Sequence, residues 1–550
     1  MFFTEKRRTK KLQKTVRKKK LKSSVLKGGE AVGSGGFSCV MKPALPGMDD
    51  ILKGNVKNSF LRRRDRMISK IFTKESQAEE YRLIKTLRTK LRKVSGYKKH
   101  FLLDRVTMDT PAFEFIKEED WKGFDEKCTK NPKMFKVPRT EDEKRDATET
   151  LRLLNMPDGG MEVGKYFTLN FSFPRFHVIR RDLSSLVRKA IIPMNKKGVF
   201  HSDIRSANLL FSDGHVRLID WGLAREGQGY NKTRYRSLSK NLPASCLMLT
   251  EKFEKAYNDE LLPELIRNKK SGKMGKGDNE ILRKRFLLKY FVKTKDFEKR
   301  MDVIIGLSKL YALLRFHGPR VKLPASEILR IGGKQFQSHE SAINILLDQQ
   351  SSVLRNKRNY DLKKRELDVN KYYNQVYRKN VDLFGVASVF AEFSRIVYNE
   401  KQQRKEHVDE KDDDNANNND GHDNNNVKKD DTDNDNDNHD DDDDDDDDND
   451  DDIIDKKQFQ TSWKVGRQLY LYAIKNCDRA MSKHTFLKIL DNDDNNKGGE
   501  KDDDNDDDND DDDDHDDHDD DDHDDNTIKK DDSHSLIKTR RLSSSKYHTT

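Results

Sequence analysis

Residues 201–222 read HSDIRSANLLFSDGHVRLIDWG, and this stretch decides the fold. Asp203 follows His201 by two positions, and Asn208 follows Asp203 by five. A hydrophobic run that begins at Asn208 (Leu209-Leu210-Phe211) ends at Ser212-Asp213-Gly214. A second run, Val216-Arg217-Leu218-Ile219, delivers Asp220-Trp221-Gly222. The two runs alternate like paired strands, and Asp-Gly between them is a hairpin signal. A hairpin brings its open ends together, so the spacing predicts that Asp203, Asn208 and Asp220 converge on one point.

Two carboxylates and an amide at one point suit phosphoryl transfer, in which the protein supplies mainly position and charge neutralisation. One carboxylate orients a hydroxyl and accepts its proton. The other, with the amide oxygen, holds Mg²⁺, a hard cation that takes oxygen ligands and keeps several waters. Asp203 fits the base role; Asn208 and Asp220 fit the metal roles. The bland alternative, a hairpin carrying surface acids, needs three polar positions and two strands to coincide. The stretch resembles the H-R-D-x-x-x-x-N and D-F-G elements of protein kinases. Ser202 stands where that family usually has an Arg that contacts a phosphorylated activation loop, and Trp221 stands where Phe is usual. The Ile-Asp-Trp form is also similar to small-molecule kinases of the aminoglycoside and choline type, so the stretch alone predicts a kinase-like phosphotransferase.

Outward from it, composition splits the chain. The 550 residues carry +9, but 409–455 and 491–532 together carry −43, which leaves +52 on the remainder. Such acidic runs bury no apolar surface and read as disordered. Residues 1–27 hold twelve Lys/Arg against one Glu, a basic tail able to contact polyanions. The four cysteines, Cys39, Cys128, Cys246 and Cys477, are far apart and form no C-x-x-C pair, so each reads as a free thiol in a reducing compartment. No apolar run reaches 18 residues, and the first residues lack a signal-peptide core.

Upstream, Gly33-Ser34-Gly35-Gly36-Phe37-Ser38-Cys39-Val40 is a glycine-rich loop whose backbone amides can approach phosphates. Gly47 to Arg66 reads as an insertion between strands. Met67–Phe72 reads as a short strand carrying Lys70, the choice for the α/β-phosphates. Ser76–Leu91 reads as a helix, and Glu79 or, preferably, Glu80 is expected to hold Lys70. Lys42 competes but lies close to the loop. Tyr97 onward reads as a hairpin arm, and 118–147 as irregular. Leu151–Pro157 reads as a buried strand ending at Asp158-Gly159-Gly160; the resemblance to protein kinases implies that this is the hinge, with Met156 at the adenine. Helical periodicity returns over 176–197.

Downstream, the loop after Gly222 offers Thr233, Ser237 and Ser239 as phosphorylation positions, and Asn241-Leu242-Pro243-Ala244-Ser245 replaces the usual A-P-E element. Residues 250–380 read as helical. An apolar helix opens at 380–385, where Asp382 reads either as a plain N-cap or, as the resemblance to protein kinases implies, as the residue that holds the catalytic-loop backbone. Residues 456–490 read as core-like helix, which makes 409–455 a loop inserted within one lobe. Thr539–Ser545 reads as a phosphorylation segment for a basophilic kinase, this chain included.

The set GSGGFSCVMKPAL, ISKIF, YKKHFLL, LLNMPDGG, IIPMN, FHSDIRSANLL and LIDWGLA resembles the Ser/Thr protein kinases of large nucleocytoplasmic DNA viruses over residues 27–245. The resemblance implies Asp203 as base and Arg205 beside the transferred phosphate, where Lys is usual. It implies ATP held by the Gly33–Phe37 loop, Val40, Lys70 (with Glu80) and Met156, and Mg²⁺ held by Asn208 and Asp220. The expected fold is α+β and two-lobed. It comprises a basic tail (1–27), a β-rich N-lobe with hinge (28–160), an α-rich C-lobe (161–408), a disordered acidic insertion (409–455), terminal C-lobe helices (456–490) and a disordered acidic tail (491–550). The expected partners are protein substrates, with no membrane, on a monomer in host cytoplasm, nucleus or virion.

Overall fold

The structure is a computed structural model that describes residues 30–34, 38–48, 66–113, 116, 124–128, 138, 140–169, 173–226, 237–272, 275–361, 366–416 and 463–491, all within one unit ending at Asn496. The basic tail, Gly35-Gly36-Phe37, most of the 47–66 insertion, Thr233, the insertion beyond 416, the acidic tail beyond 491 and Thr539–Ser545 lie outside the described residues.

An antiparallel sheet comes first. It comprises β1 (Glu30–Ser34), β2 (Cys39–Lys42), β3 (Met67–Thr73), β4 (Thr107–Asp109) and β5 (Leu151–Pro157) in the spatial order β1-β2-β3-β5-β4. The central pair, β3 and β5, runs in register from Met67↔Pro157 to Thr73↔Leu151. The near-continuous apolar sequence of β5 follows from its place between two layers. Leu151 and Leu153 face one core cluster, and Leu154 and Met156 face the other, as side chains alternating across a sheet must. On the Leu154 side lies α1 (Lys74–Leu91), which packs Ile84, Leu87 and Leu91 against the sheet.

The opposite face corrects the cysteine reading. Phe113, Ile116, Phe124 and Cys128 cover it, and Cys128 forms a disulfide with Cys39 of β2, their Cα atoms 5.6 Å apart. Sequence separation, 89 residues here, says nothing about spatial closeness once a connection folds back over a sheet. Cys246 and Cys477 are buried and form no disulfide.

Two further expectations change. Part of the stretch read as irregular is helix α2 (Glu141–Thr150), opened by a capping box: Glu143 N–H donates to Thr140 Oγ1 at 3.2 Å, and Thr140 N–H to Glu143 Oε2 at 3.0 Å. It buries no residue, so hydrophobic periodicity has nothing to report. The expected hairpin arm at Tyr97 starts instead with a helical turn, Tyr97–His100, because Tyr97 and His100, three apart, are the positions that face the core.

The chain continues through β6 (Met161–Glu162), α3 (Val163–Leu169) and α4 (Phe173–Leu186), the last prolonged by a π turn and a final turn to Lys196. β7 (Val199–Phe200), β8 (Leu209–Ser212), β9 (His215–Leu218) and β10 (Arg225–Glu226) form two small antiparallel sheets, β6-β8-β9 and β7-β10. The remainder is largely helical and includes α5 (Lys276–Lys293), α6 (Met301–Leu313), α7 (Glu340–Arg355), α8 (Arg378–Ala416), a helix over 463–475 and α9 (Lys483–Asp491). The architecture is thus mixed α+β, with small antiparallel sheets and a helical majority.

α8 runs eight residues past the expected start of the acidic insertion. The sequence from Glu400 to Lys411 is rich in Glu, Gln, Lys and Arg, good helix formers that a net-charge count does not register. The chain on either side of the insertion shares one core: the Tyr470 ring lies 5.8 Å from that of Phe384 and 6.4 Å from that of Tyr311. No helix among the described residues is long and apolar enough to cross a membrane.

Candidate active site

The β8–β9 hairpin has the expected form. Ser212 pairs with His215, and the two-residue loop places Asp213 at φ 52° and Gly214 at φ 74°, the double left-handed turn that Asp-Gly favours. The hairpin mouth closes through Ile219 N–H donating to Asn208 O at 3.0 Å. Asn208 is buried, and its amide Nδ2 donates to the Asp203 carbonyl at 2.8 Å and to Asp203 Oδ2 at 3.0 Å. Asp203 and Asn208 are therefore bonded to one another, with Asp220 one residue past the closing pair.

Asp220 is left-handed, at φ 64° and ψ 67°, and so is Ser202 at φ 62°. Non-glycine residues in that region cost of order 1–3 kcal/mol each unless the surroundings impose them. Here the surroundings do. Trp221 packs edge-on against His201 (centroids 4.9 Å apart) and Phe101 (5.2 Å), and His201 Nε2–H donates to Ile219 O at 2.9 Å. Beneath the loop, Asp382 of α8 is fully buried and accepts from the backbone amides of His201 at 3.0 Å and Ser202 at 2.7 Å. One turn on, a Cβ at Gly385 would stand 2.6 Å from Ile204 O, so the helix approaches this closely only with glycine there. Asp382 thus occupies the place the sequence suggested.

Lys70 joins the sheet to the hairpin. Its Nζ lies 3.0 Å from Glu80 Oε1 of α1 and 3.2 Å from Asp220 Oδ1. Burial, the largest influence on this ammonium, lowers its pKa, but the Glu80 and Asp220 carboxylates outweigh it and leave the pKa above the ordinary value. For Asp220 the largest influence is again burial, which raises the pKa; Lys70, with His201 and Arg205, overcomes it and lowers the carboxyl below its usual value. Both groups are held charged. Glu79 is exposed, and Lys42 turns away to Asp158, 2.6 Å distant.

The other expected positions fall as follows. Gly33 and Ser34 end β1, paired with Val40 and Cys39, and Val40 pairs in turn with Lys70, which sets the descending strand of the glycine-rich segment beside the lysine. Gly35, Gly36 and Phe37 lie outside the described residues. Met156 is buried opposite Ile68, one residue before the strand ends at Pro157. Arg205 is half exposed, its Nε 3.9 Å from Asp203 Oδ2.

One residue was missed. Asn241, 5% exposed, donates from Nδ2 to Asp203 Oδ1 at 3.0 Å and to Ile204 O at 3.2 Å. A lone Asn in a turn carries no periodicity and no motif; the only signal was its place in a segment where an A-P-E element was expected.

Among the described residues, no three or more His, Cys, Asp or Glu side chains gather as a metal cage. The set here is two carboxylates and one amide. The Asn208 nitrogen is engaged with Asp203, so its oxygen is the atom able to meet a cation. That fits a hard ion bringing its own waters and substrate oxygens. No protein-family model and no curated protein matches this chain.

Proposed function

We propose that the chain is a Mg²⁺-dependent protein kinase that transfers the γ-phosphate of ATP to Ser or Thr hydroxyls of other proteins. In this reading the mixed α+β fold is two-lobed, with the sheet and α1 as one lobe and the helical body as the other. The observation that carries the reading is Lys70, held between Glu80 and Asp220, residues 10 and 150 positions away, at the open end of the hairpin that bonds Asp203 to Asn208. A site that brings together a lysine, three carboxylates and an amide suits a triphosphate and an attacking hydroxyl.

In this reading Lys70 draws the α- and β-phosphates toward the sheet and Glu80 keeps its ammonium aimed. Val40, Met156 and the Gly33–Phe37 segment enclose the nucleotide. Asn208 and Asp220 hold Mg²⁺, which when bound neutralises the phosphate oxygens. Asp203 orients the substrate hydroxyl and takes its proton. Arg205, beside Asp203, offers a guanidinium to the phosphate in flight, a planar fork and not the point charge of a lysine. The resemblance to viral kinases makes the host cytoplasm, nucleus or virion the place to look for substrates.

The test supplies γ-labelled ATP and Mg²⁺ with three acceptors in parallel: a mixture of basic and acidic proteins, aminoglycosides, and choline. Label in protein Ser or Thr supports the proposal. Label only in a small molecule replaces it with a small-molecule phosphotransferase, and bound nucleotide with no transfer replaces it with a scaffold.

A further inference from the structure

We infer that Asn241 is a positioning residue for Asp203 and that Ser239 holds Asn241 in its working orientation. The inference rests on the phosphotransfer reading for its chemistry, but its geometry stands alone. Both Asp203 oxygens are engaged: Oδ2 by Asn208 and Oδ1 by Asn241, each at 3.0 Å. The two amides come from different segments, 5 and 38 residues from Asp203. A carboxylate held at both oxygens has its plane fixed, and a general base is effective only when its accepting lone pair lies within hydrogen-bond reach of the hydroxyl.

The Asn241 amide has one chemically sensible orientation. Its Nδ2 faces two groups that only accept, the Asp203 carboxylate and the Ile204 carbonyl. Reversed, its oxygen would face both. At the other end, the Ser239 hydroxyl donates to Asn241 Oδ1. The turn that carries both is closed by Leu242 N–H on Ser239 O at 3.3 Å and pegged on either side by the buried Leu238 and Leu242. The two apolar anchors place the turn, Ser239 orients the amide, and the amide orients the carboxylate. The same Asn241 nitrogen binds the carbonyl of Ile204, the residue packed on Gly385, so the loop backbone and the Asp203 side chain are fixed together.

The test uses the full chain and four variants: Asn241→Leu, which keeps the shape and removes the donor, Ser239→Ala, Ser239→Thr, and Asp203→Asn for a double-mutant cycle. We expect Asn241→Leu to lower kcat by about 10- to 100-fold, the scale of a misplaced catalytic group, with the KM for ATP within about twofold. Ser239→Ala lowers kcat less, and Ser239→Thr, which retains the hydroxyl, restores it. In an Asp203→Asn background, Asn241→Leu has no further effect on kcat, and the two thermal-midpoint decrements are not additive. Unchanged kcat in Asn241→Leu, or additive midpoints, overturns the inference. The midpoint cycle decides the Asn241–Asp203 link even for a chain that transfers no phosphate, and that absence would count against the proposed function alone.

Discussion

Lys70 and Lys284 are both drawn out of water and both meet carboxylates, yet they join different things. Lys284 of α5 is fully buried, and its ammonium reaches Val321 O at 2.6 Å, Asp348 Oδ1 at 2.7 Å and Glu280 Oε1 at 3.8 Å. Those partners sit on the same helix, on the facing α7 and on the connection between them. The cluster fastens helices. Lys70 instead links a sheet strand, the α1 helix and the left-handed Asp220 beside a bonded acid–amide pair. A lysine between carboxylates is therefore not in itself a sign of catalysis. What distinguishes Lys70 is that it reaches the left-handed Asp220, one residue past the hairpin mouth that carries the bonded Asp203–Asn208 pair.

Substitution should separate the two. Lys70→Met should lower phosphate transfer by about 10²–10³-fold, the cost of losing one preorganised electrostatic contact, with a folded chain by circular dichroism. A Lys70 that served only as a fastener would give a variant losing stability and no activity per folded molecule. Lys284→Met should show the reverse. Breaking a buried pair typically costs about 3–5 kcal/mol, but the partly exposed Asp348 can rehydrate, so denaturant unfolding should report a loss of about 2–3 kcal/mol with specific activity retained. Asp382→Asn lies between: one of two buried amides loses its acceptor, for about 1–3 kcal/mol, and the loop it orders carries Asp203, so stability and transfer should fall together. A fall in stability alone would place Asp382 with Lys284.

The smallest expected effect concerns His100, whose Nδ1–H donates to Val216 O at 2.8 Å behind the hairpin. Burial lowers its pKa from 6.5, against the opposing pull of Val216 O and Asp182. The folded state keeps His100 neutral while the unfolded chain takes a proton near pH 6.5. Its contribution to stability is therefore complete above that pH and declines as pH falls toward the lower folded value. Thermal midpoints measured from pH 7.5 to 5 should fall, and His100→Gln should flatten that slope by at most about 1.4 kcal/mol per pH unit. An unchanged slope would remove His100 from the account.

Legibility in the sequence followed how local each signal was. The hairpin, with Asp213-Gly214 at its tip, and the Asp203–Asn208 spacing lie within twenty-two residues whose alternation and turn chemistry need no tertiary help. The Lys70–Glu80 pair was also within reach, since a strand and the helix that follows it leave few choices of partner. Cys39 and Cys128 were not, because only the fold of the intervening chain brings their Cα atoms together. Helix α2 escaped because it buries nothing, although Thr140 and Glu143 spell its capping box. Asn241 escaped because its role depends on two carbonyl and carboxylate acceptors 37 and 38 residues upstream.

The most direct test of the central claim is the initial rate of Mg²⁺·ATP-dependent phosphate transfer to protein by the full chain and by Asp203→Asn, with the fold of both verified. The account predicts transfer by the former and a fall of at least about 10²-fold in the latter, the lower end of what positioned proton transfer contributes. Equal rates would contradict it.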